Sequence, residues 1–233
     1  MQTPKDGCLI CQSELVYQST TELLKCSFCE LYFDSNVKCI NSHYICDSCH
    51  SLDAQQIIEK TCNNSKTTNP IELAFSLMNH PSVKMHGPEH HFLVPAVLIT
   101  TYYNKIGKPQ LKAEKLEIAK KRANKILGGF CGFYGNCGAG VGCGIFISTI
   151  LEATPLSENE WKLANLISAE SLRNIALKGG PRCCKRNTFT ALETAIEFLK
   201  EHLGVSLDSG KVICGYFERN RECKHEDCEY FPE

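Results

Sequence analysis

The stretch CSFCELYFDSNVKCINSHYICDSC, residues 26–49, holds Cys26-x2-Cys29, then Cys39-x3-His43, then Cys46-x2-Cys49. A further pair, Cys8-x2-Cys11, lies upstream. Each C-x2-C turn sets two thiolates on one side of a tight loop, and two such loops close a four-ligand cage. With Cys39 and His43 the segment offers eight ligands, which suffices for two tetrahedral zinc ions. Residues 1–62 carry few large aliphatic side chains, so metal is expected to order them in place of an apolar core.

Residues 26–49 resemble the first half of a RING-type or treble-clef finger. That resemblance implies a cross-brace: Cys26, Cys29, Cys46 and Cys49 around one ion, and Cys8, Cys11, Cys39 and His43 around the other. The simpler pairing is tandem, with Cys8/Cys11/Cys26/Cys29 as a zinc ribbon followed by Cys39/His43/Cys46/Cys49. The cross-brace is preferred. The last knuckle of a RING is missing, so a ubiquitin-ligase role does not follow. Cys46-x2-Cys49-His50 also matches a c-type haem attachment motif, but the neighbouring C-x2-C pairs argue for zinc. Cys62 reads as a small buried residue.

The chain has 233 residues, a net charge of −1 and a pI near 6.7. That length suits one small and one mid-sized domain, and the charge balance supplies no global basic field for nucleic acid. The opening MQTPKDGC lacks an apolar signal region. The apolar runs at 92–100 and 141–151 are too short to span a bilayer. Sixteen cysteines without a signal are expected to stay reduced in a cytoplasmic setting.

Beyond the polar stretch 63–70, taken as the domain boundary, apolar periodicity is helical. Strand pieces are expected at Leu15-Val16-Tyr17 and Leu31-Tyr32-Phe33. Helices are expected at 51–62, 70–79, 88–104 (kinked or divided at Pro95), 109–127, 157–178 and up to Leu203. Ser157-x2-Glu160 reads as a capping box and Thr190-x2-Glu193 as a second possible cap. Residues 211–217 read as a strand.

Four features of the second domain carry chemistry. His86, His90 and His91 surround a helix start, as capping and surface residues or as ligand and proton-handling candidates. Residues 128–144, GGFCGFYGNCGAGVGCG, read either as small-residue packing of a helix or as a cofactor cradle with Cys131 and Cys137 as ligands. Cys183 and Cys184 stand beside Arg182, Lys185 and Arg186 at a helix start, where thiol pKa values are expected to fall. The tail Cys214-x8-Cys223-x-His225-x2-Cys228 looks like a CCCH finger and offers a zinc or iron–sulfur site. Tyr216, Phe217, Tyr230 and Phe231 suit base stacking. The closing histidine is missing and acidic residues outnumber basic ones locally, so RNA is disfavoured as a partner.

Taken together, MHGPEHHFLVPAVL, GGFCGFYGNCGAGVG, ATPLSENEW, AESL and GGPRCCKR look like a prokaryotic family known only as domain of unknown function 5714. The resemblance extends from the first knuckle to the tail. It implies an archaeal or anaerobic bacterial setting, with methyltransferase-type enzymes as possible partners, and no assigned activity. More loosely, Cys137-Gly138-Ala139-x2-Gly142 with Cys183/Cys184 is similar to the C-GCAxxG-C-C redox proteins, although the spacing departs at Asn136.

The expectation is therefore an α+β chain. A zinc-knuckle domain spans residues 1–62. A mostly helical domain spans 70–233 and ends in a cysteine tail, 205–233. The expected function is metal binding with redox or group-transfer chemistry at Cys131, Cys137, Cys183 and Cys184. The competing class is a zinc scaffold that docks a protein or RNA partner.

Overall fold

The computed structural model describes residues 8, 10–11, 13–46, 49 and 53–232. His50 of the haem motif and the expected helix start at Ser51 lie outside them. Strand β1 (Leu15–Lys25) pairs antiparallel with β2 (Tyr32–Cys39), running from Leu15 opposite Cys39 to Lys25 opposite Tyr32. Both strands are longer than the expected pieces, and a register break between Tyr17 and Glu22 interrupts the ladder. The hairpin sets the metal geometry. β1 leads from Cys8/Cys11 to Cys26/Cys29, and β2 leads back to Cys39. The link from His43 to Cys46 then returns, pinned where Ser27 N donates to Tyr44 O at 2.8 Å.

The rest of the described chain is helical. α1 (Ala54–Asn64) starts at Asp53 with a reciprocal capping box to Gln56, and α2 (Pro70–Asn79) starts at Asn69, whose side chain accepts from Ile71 N and Glu72 N. These caps satisfy one free N–H group of the first turn of α1 and two of α2. α3 (Glu89–Lys105) is the central helix. It is buried on nearly every side and packed by α1, α2, α4 (Lys112–Ala123), α6 (Gly138–Ile150) and α8 (Cys184–Leu203). α5 (Phe130–Phe133) is one turn, and α7 (Asn159–Leu177) lies along α6.

Several local expectations change in the fold. Pro95 neither divides α3 nor stops it. Pro95 removes one N–H, but packing holds both flanks, and Thr100 and Thr101 bond back to Ala96 O and Val97 O. The expected helix at 109–127 is a 3₁₀ turn, Pro109–Leu111, followed by α4, which ends at Ala123. The Ser157 capping box does not form: Ser157 Oγ accepts from Thr154 N at 3.0 Å, and α7 begins without a side-chain cap. Thr190 is interior to α8 and bonds back to Arg186 O at 3.1 Å. Residues 211–217 form no strand; Cys214 N donates to Tyr230 O at 2.6 Å and ties the two ends of the tail together.

One apolar cluster joins the metal module to the helices. It runs from Cys26, Phe28, Cys29, Cys46 and Cys49 through Ile57, Ile58 and Cys62 into α2, α3 and α8. Phe28 is fully buried and meets His80 edge-on at 4.8 Å, while His80 Nε2 lies 3.1 Å from Cys49 O. Lys112 Nζ donates to Cys62 O at 3.2 Å and Ser65 O at 2.7 Å. A cation at this carbonyl-rich helix end is favourable, although burial lowers its pKa.

Candidate metal centres and thiol cleft

Two groups of ligand atoms close to within 4.8 Å: Cys8, Cys11, Cys39 and His43, and Cys26, Cys29, Cys46 and Cys49. This is the cross-brace grouping, not the tandem one. In the first group Cys11 Sγ and Cys39 Sγ lie 3.4 Å apart, and Cys8 Sγ lies 3.7 Å from His43 Nδ1. In the second, Cys29 Sγ and Cys46 Sγ lie 3.9 Å apart. Four thiolates at about 2.3 Å from a tetrahedral ion stand about 3.8 Å from one another, so both groups have the size a single ion requires. Backbone N–H groups point at the sulfurs: Cys46 N to Cys26 Sγ at 3.4 Å, and Asn41 N to Cys39 Sγ at 3.3 Å.

The electrostatics differ between the groups. Burial and the neighbouring thiols push Cys49 and Cys29 up, and Cys8 up to about 11. Cys11 is exposed. The small desolvation it suffers is overcome by hydrogen bonds from Ser13 and Asn41, and its pKa falls to about 5. Crowded thiols cannot all ionise unaided, so a cation that binds them must displace protons. Both arrangements can hold metal ions.

In the helical part the glycine-rich run divides at Cys137. From Gly138 onward it is the small-residue face of α6. A Cβ at Gly144 would run into Ser168 Oγ of α7, one at Gly140 into Leu172, and one at Gly142 into Pro95 and Val94 of α3. Before Cys137 the run is open. Gly129, Cys131, Gly132, Phe133, Gly135 and Cys137 form one wall of a cleft of about 580 Å³. Leu172, Ile175, Arg182, Arg186 and Asn187 form the other. Asn187 Nδ2 donates to Cys137 Sγ at 3.3 Å. The packing reading therefore holds for the half from Gly138 onward, and the half before it lines an open cleft.

Cys183 and Cys184 depart from expectation. Burial raises both, Cys184 to about 11, against the helix N-terminus and the nearby cations. The cations are committed elsewhere. Lys185 is buried and donates to Met78 O and Val83 O, both at 3.2 Å. Arg186 Nη2 donates to Gly179 O at 2.6 Å and Pro181 O at 2.9 Å. The adjacent pair also separates: Cys184 lies within electrostatic reach of Cys137, whereas Cys183 shares a cavity with Cys214, Cys223 and Cys228.

The family model of a family of unknown function, DUF5714, matches residues 58–231. The chain belongs to DUF5714. The match opens within α1 and stops short of both N-terminal metal groups, so it is narrower than the expected reach from the first knuckle. No curated protein and no solved structure matches the chain. Nothing in the comparisons supports the looser similarity to the C-GCAxxG-C-C proteins.

Within the matched segment the three histidines go three ways. His90 is buried, with Nδ1 3.1 Å from Thr188 Oγ1 and Nε2 3.2 Å from Lys84 O. Burial, then the Lys185 charge, lowers its pKa to about 3. His91 lies 3.1 Å from Ile126 O, and burial lowers its pKa. His86 lies 3.1 Å from Asn220 Oδ1 and 3.4 Å from Glu222 Oε2. Two of the four tail aromatics are inside as well: Tyr216 is 1% exposed and stacks on Phe75, and Tyr230 is buried against Phe189, whereas Phe217 and Phe231 are half-buried and pack on each other. Neither tyrosine presents a face to a base. His225 packs its ring on Phe231. The sequence reading missed Asn187 and the cleft role of Arg186. Both lie one turn past Cys183, a spacing that could have flagged them. No helix among the described residues is long and apolar enough to cross a membrane.

Proposed function

We propose that the two N-terminal groups bind zinc and that the helical domain performs thiol-dependent redox or group-transfer chemistry in the cleft. Cys₄ and Cys₃His are closed donor sets with no position left for substrate, as in structural zinc sites. The ions would order the knuckles, which dock on the helices through Phe28. The observation that carries the catalytic half is the Cys137 environment. Its sulfur accepts a hydrogen bond from Asn187, it stands just before the first turn of a 13-residue helix, and it lines the cleft. Arg182 in the opposite wall suits an anionic substrate. In this reading Cys137 is the reacting thiol and Cys131 the second thiol of the wall.

The test is alkylation of each cysteine of the zinc-loaded chain against pH, read by mass spectrometry. Cys137 and Cys131 should react before Cys184, Cys143 and Cys62. Burial pushes Cys184 up to about 11, and Cys143 and Cys62 up to about 12. A Cys137 no faster than Cys143 would sink the catalytic reading. A scaffold reading would then take its place, supported by the apolar side chains exposed on the hairpin: Val16, Tyr17, Leu23 and Tyr32, with Leu31 and Ile40 beside them.

A further inference from the structure

Cys183 and the three tail cysteines form a group that differs in kind from the two N-terminal ones. All four line one cavity, enclosed by Phe189, Tyr216 and Tyr230. The cavity is small, about 20 Å³ against about 580 Å³ for the cleft. The tail is folded so that the thiols converge. Cys214 N bonds Tyr230 O, which brings Cys214 beside Cys228, and Cys223 N donates to Asn220 O at 3.1 Å.

Three of the four sulfurs already accept a backbone N–H. Arg186 N reaches Cys183 Sγ, Tyr216 N reaches Cys214 Sγ, and His225 N reaches Cys223 Sγ, each at 3.4 Å. The i+2 donors repeat the geometry of Asn41 N on Cys39 Sγ in the first metal group. Donors of this kind stabilise metal-bound thiolate. The spacing of the sulfurs, however, is wider. The four do not close to within 4.8 Å as both N-terminal groups do. Among the described residues, no sulfur–sulfur contact like that of Cys29 and Cys46 joins any two of them. That is too open for one tetrahedral ion at about 2.3 Å from each sulfur. It also lacks the paired thiolates of a two-iron cluster. It suits a cubane, whose four metal corners each take one thiolate and so hold the thiolates further apart.

A charge argument points the same way. A cubane with four thiolates is anionic, and the cavity wall contains Arg186 and Lys224 against one carboxylate, Glu222, which lies 3.4 Å from His86 Nε2. Arg186 is 6% exposed, and its buried Nε has no hydrogen-bond partner. A buried donor without an acceptor is costly, and a cluster sulfide or thiolate would supply one.

We propose that Cys183, Cys214, Cys223 and Cys228 hold a [4Fe–4S] cluster, with Arg186 donating to it from the wall it shares with the substrate cleft. On binding, the four thiol protons leave and each iron gains one thiolate. The proposal goes beyond the cleft chemistry and does not require it, since Cys137 and Cys131 take no part.

The test uses the full chain, purified without air and reconstituted with ferrous iron and sulfide. We expect about four iron and four labile sulfide per chain in addition to zinc. A broad visible absorption should bleach on dithionite, and a paramagnetic resonance signal should appear. Cys223→Ser and Cys228→Ser should each lower bound iron at least tenfold and leave zinc unchanged, which reports that the N-terminal module is intact. Cys131→Ser should keep the iron and lose only the cleft chemistry. An extra zinc without labile sulfide, or two iron and two sulfide, would overturn the assignment. Full iron retention in both tail variants would overturn the ligand set. Should both variants fail to fold, iron-edge X-ray absorption of the wild-type chain decides. Iron–iron scattering with sulfur neighbours supports the cubane, and its absence refutes it.

Discussion

Replacing Phe28 by alanine tests whether the metal module and the helices form one unfolding unit. Phe28 sits between Cys26 and Cys29 and has no exposed surface. Its ring meets His80, which follows α2 and lies against Cys49 O. The substitution removes a buried aromatic and leaves a cavity between two rigid pieces, so little collapse is available. Phe→Ala in such a site costs about 3–5 kcal/mol. For a chain this long, each kcal/mol moves the melting temperature by about 2–4 °C. Phe28→Ala should therefore melt about 6–20 °C below wild type. The melt should remain a single transition by circular dichroism, at unchanged zinc content. Tyr17→Ala, a substitution at an exposed hairpin ring, is the control and should shift the midpoint by under about 1 °C. A shift below about 2 °C for Phe28→Ala at full zinc loading would show that the module does not lean on the helices. The continuous apolar cluster would then have no energetic meaning.

Cys39→Ser should lose the ion of the first group yet move the helical melt by under about 2 °C, because Cys8 and Cys39 lie outside the main cluster whereas Cys46 and Cys49 belong to it; Cys46→Ser should lower both zinc content and melting temperature. Gly144→Ala should cost about 1–3 kcal/mol by pushing Ser168 off its bond to Ala164 O. Adding Ser168→Ala should recover part of that loss, and a purely additive pair in urea melts would refute the clash. His90 has an ordinary pKa of 6.5 in the unfolded chain and about 3 when folded. The unfolded chain thus binds the extra proton between these values, and the His90 contribution is whole above pH 6.5 and lost as pH falls. From pH 7.5 to 5.5 the loss is roughly 1 kcal/mol. Comparison with His90→Gln isolates it, and equal pH slopes for the two proteins would contradict the burial argument.

Spacing alone revealed the eight N-terminal residues that close into two groups able to hold a metal ion. Turn chemistry needs only a few neighbouring residues, and a C-x2-C pair converges wherever it folds. Periodicity likewise marked the central helices, because a face must be apolar to be buried. Local caps fared less well. Ser157 found a partner in Thr154, and Thr190 was absorbed inside α8, since a hydroxyl has several backbone partners within reach and packing chooses among them. The sequence showed Cys183 and Cys184 as a pair with cations on both sides, yet it could not show that those cations bond carbonyls elsewhere or that burial outweighs them. Nor could it separate the neighbours. At a helix start, adjacent side chains point about 100° apart, so Cys184 turns toward Cys137 and Cys183 toward the tail. Ligand type and local spacing were thus written in the sequence. Which distant thiols share a cavity was decided by the tertiary fold, because that depends on how α8 and the tail pack around Tyr216.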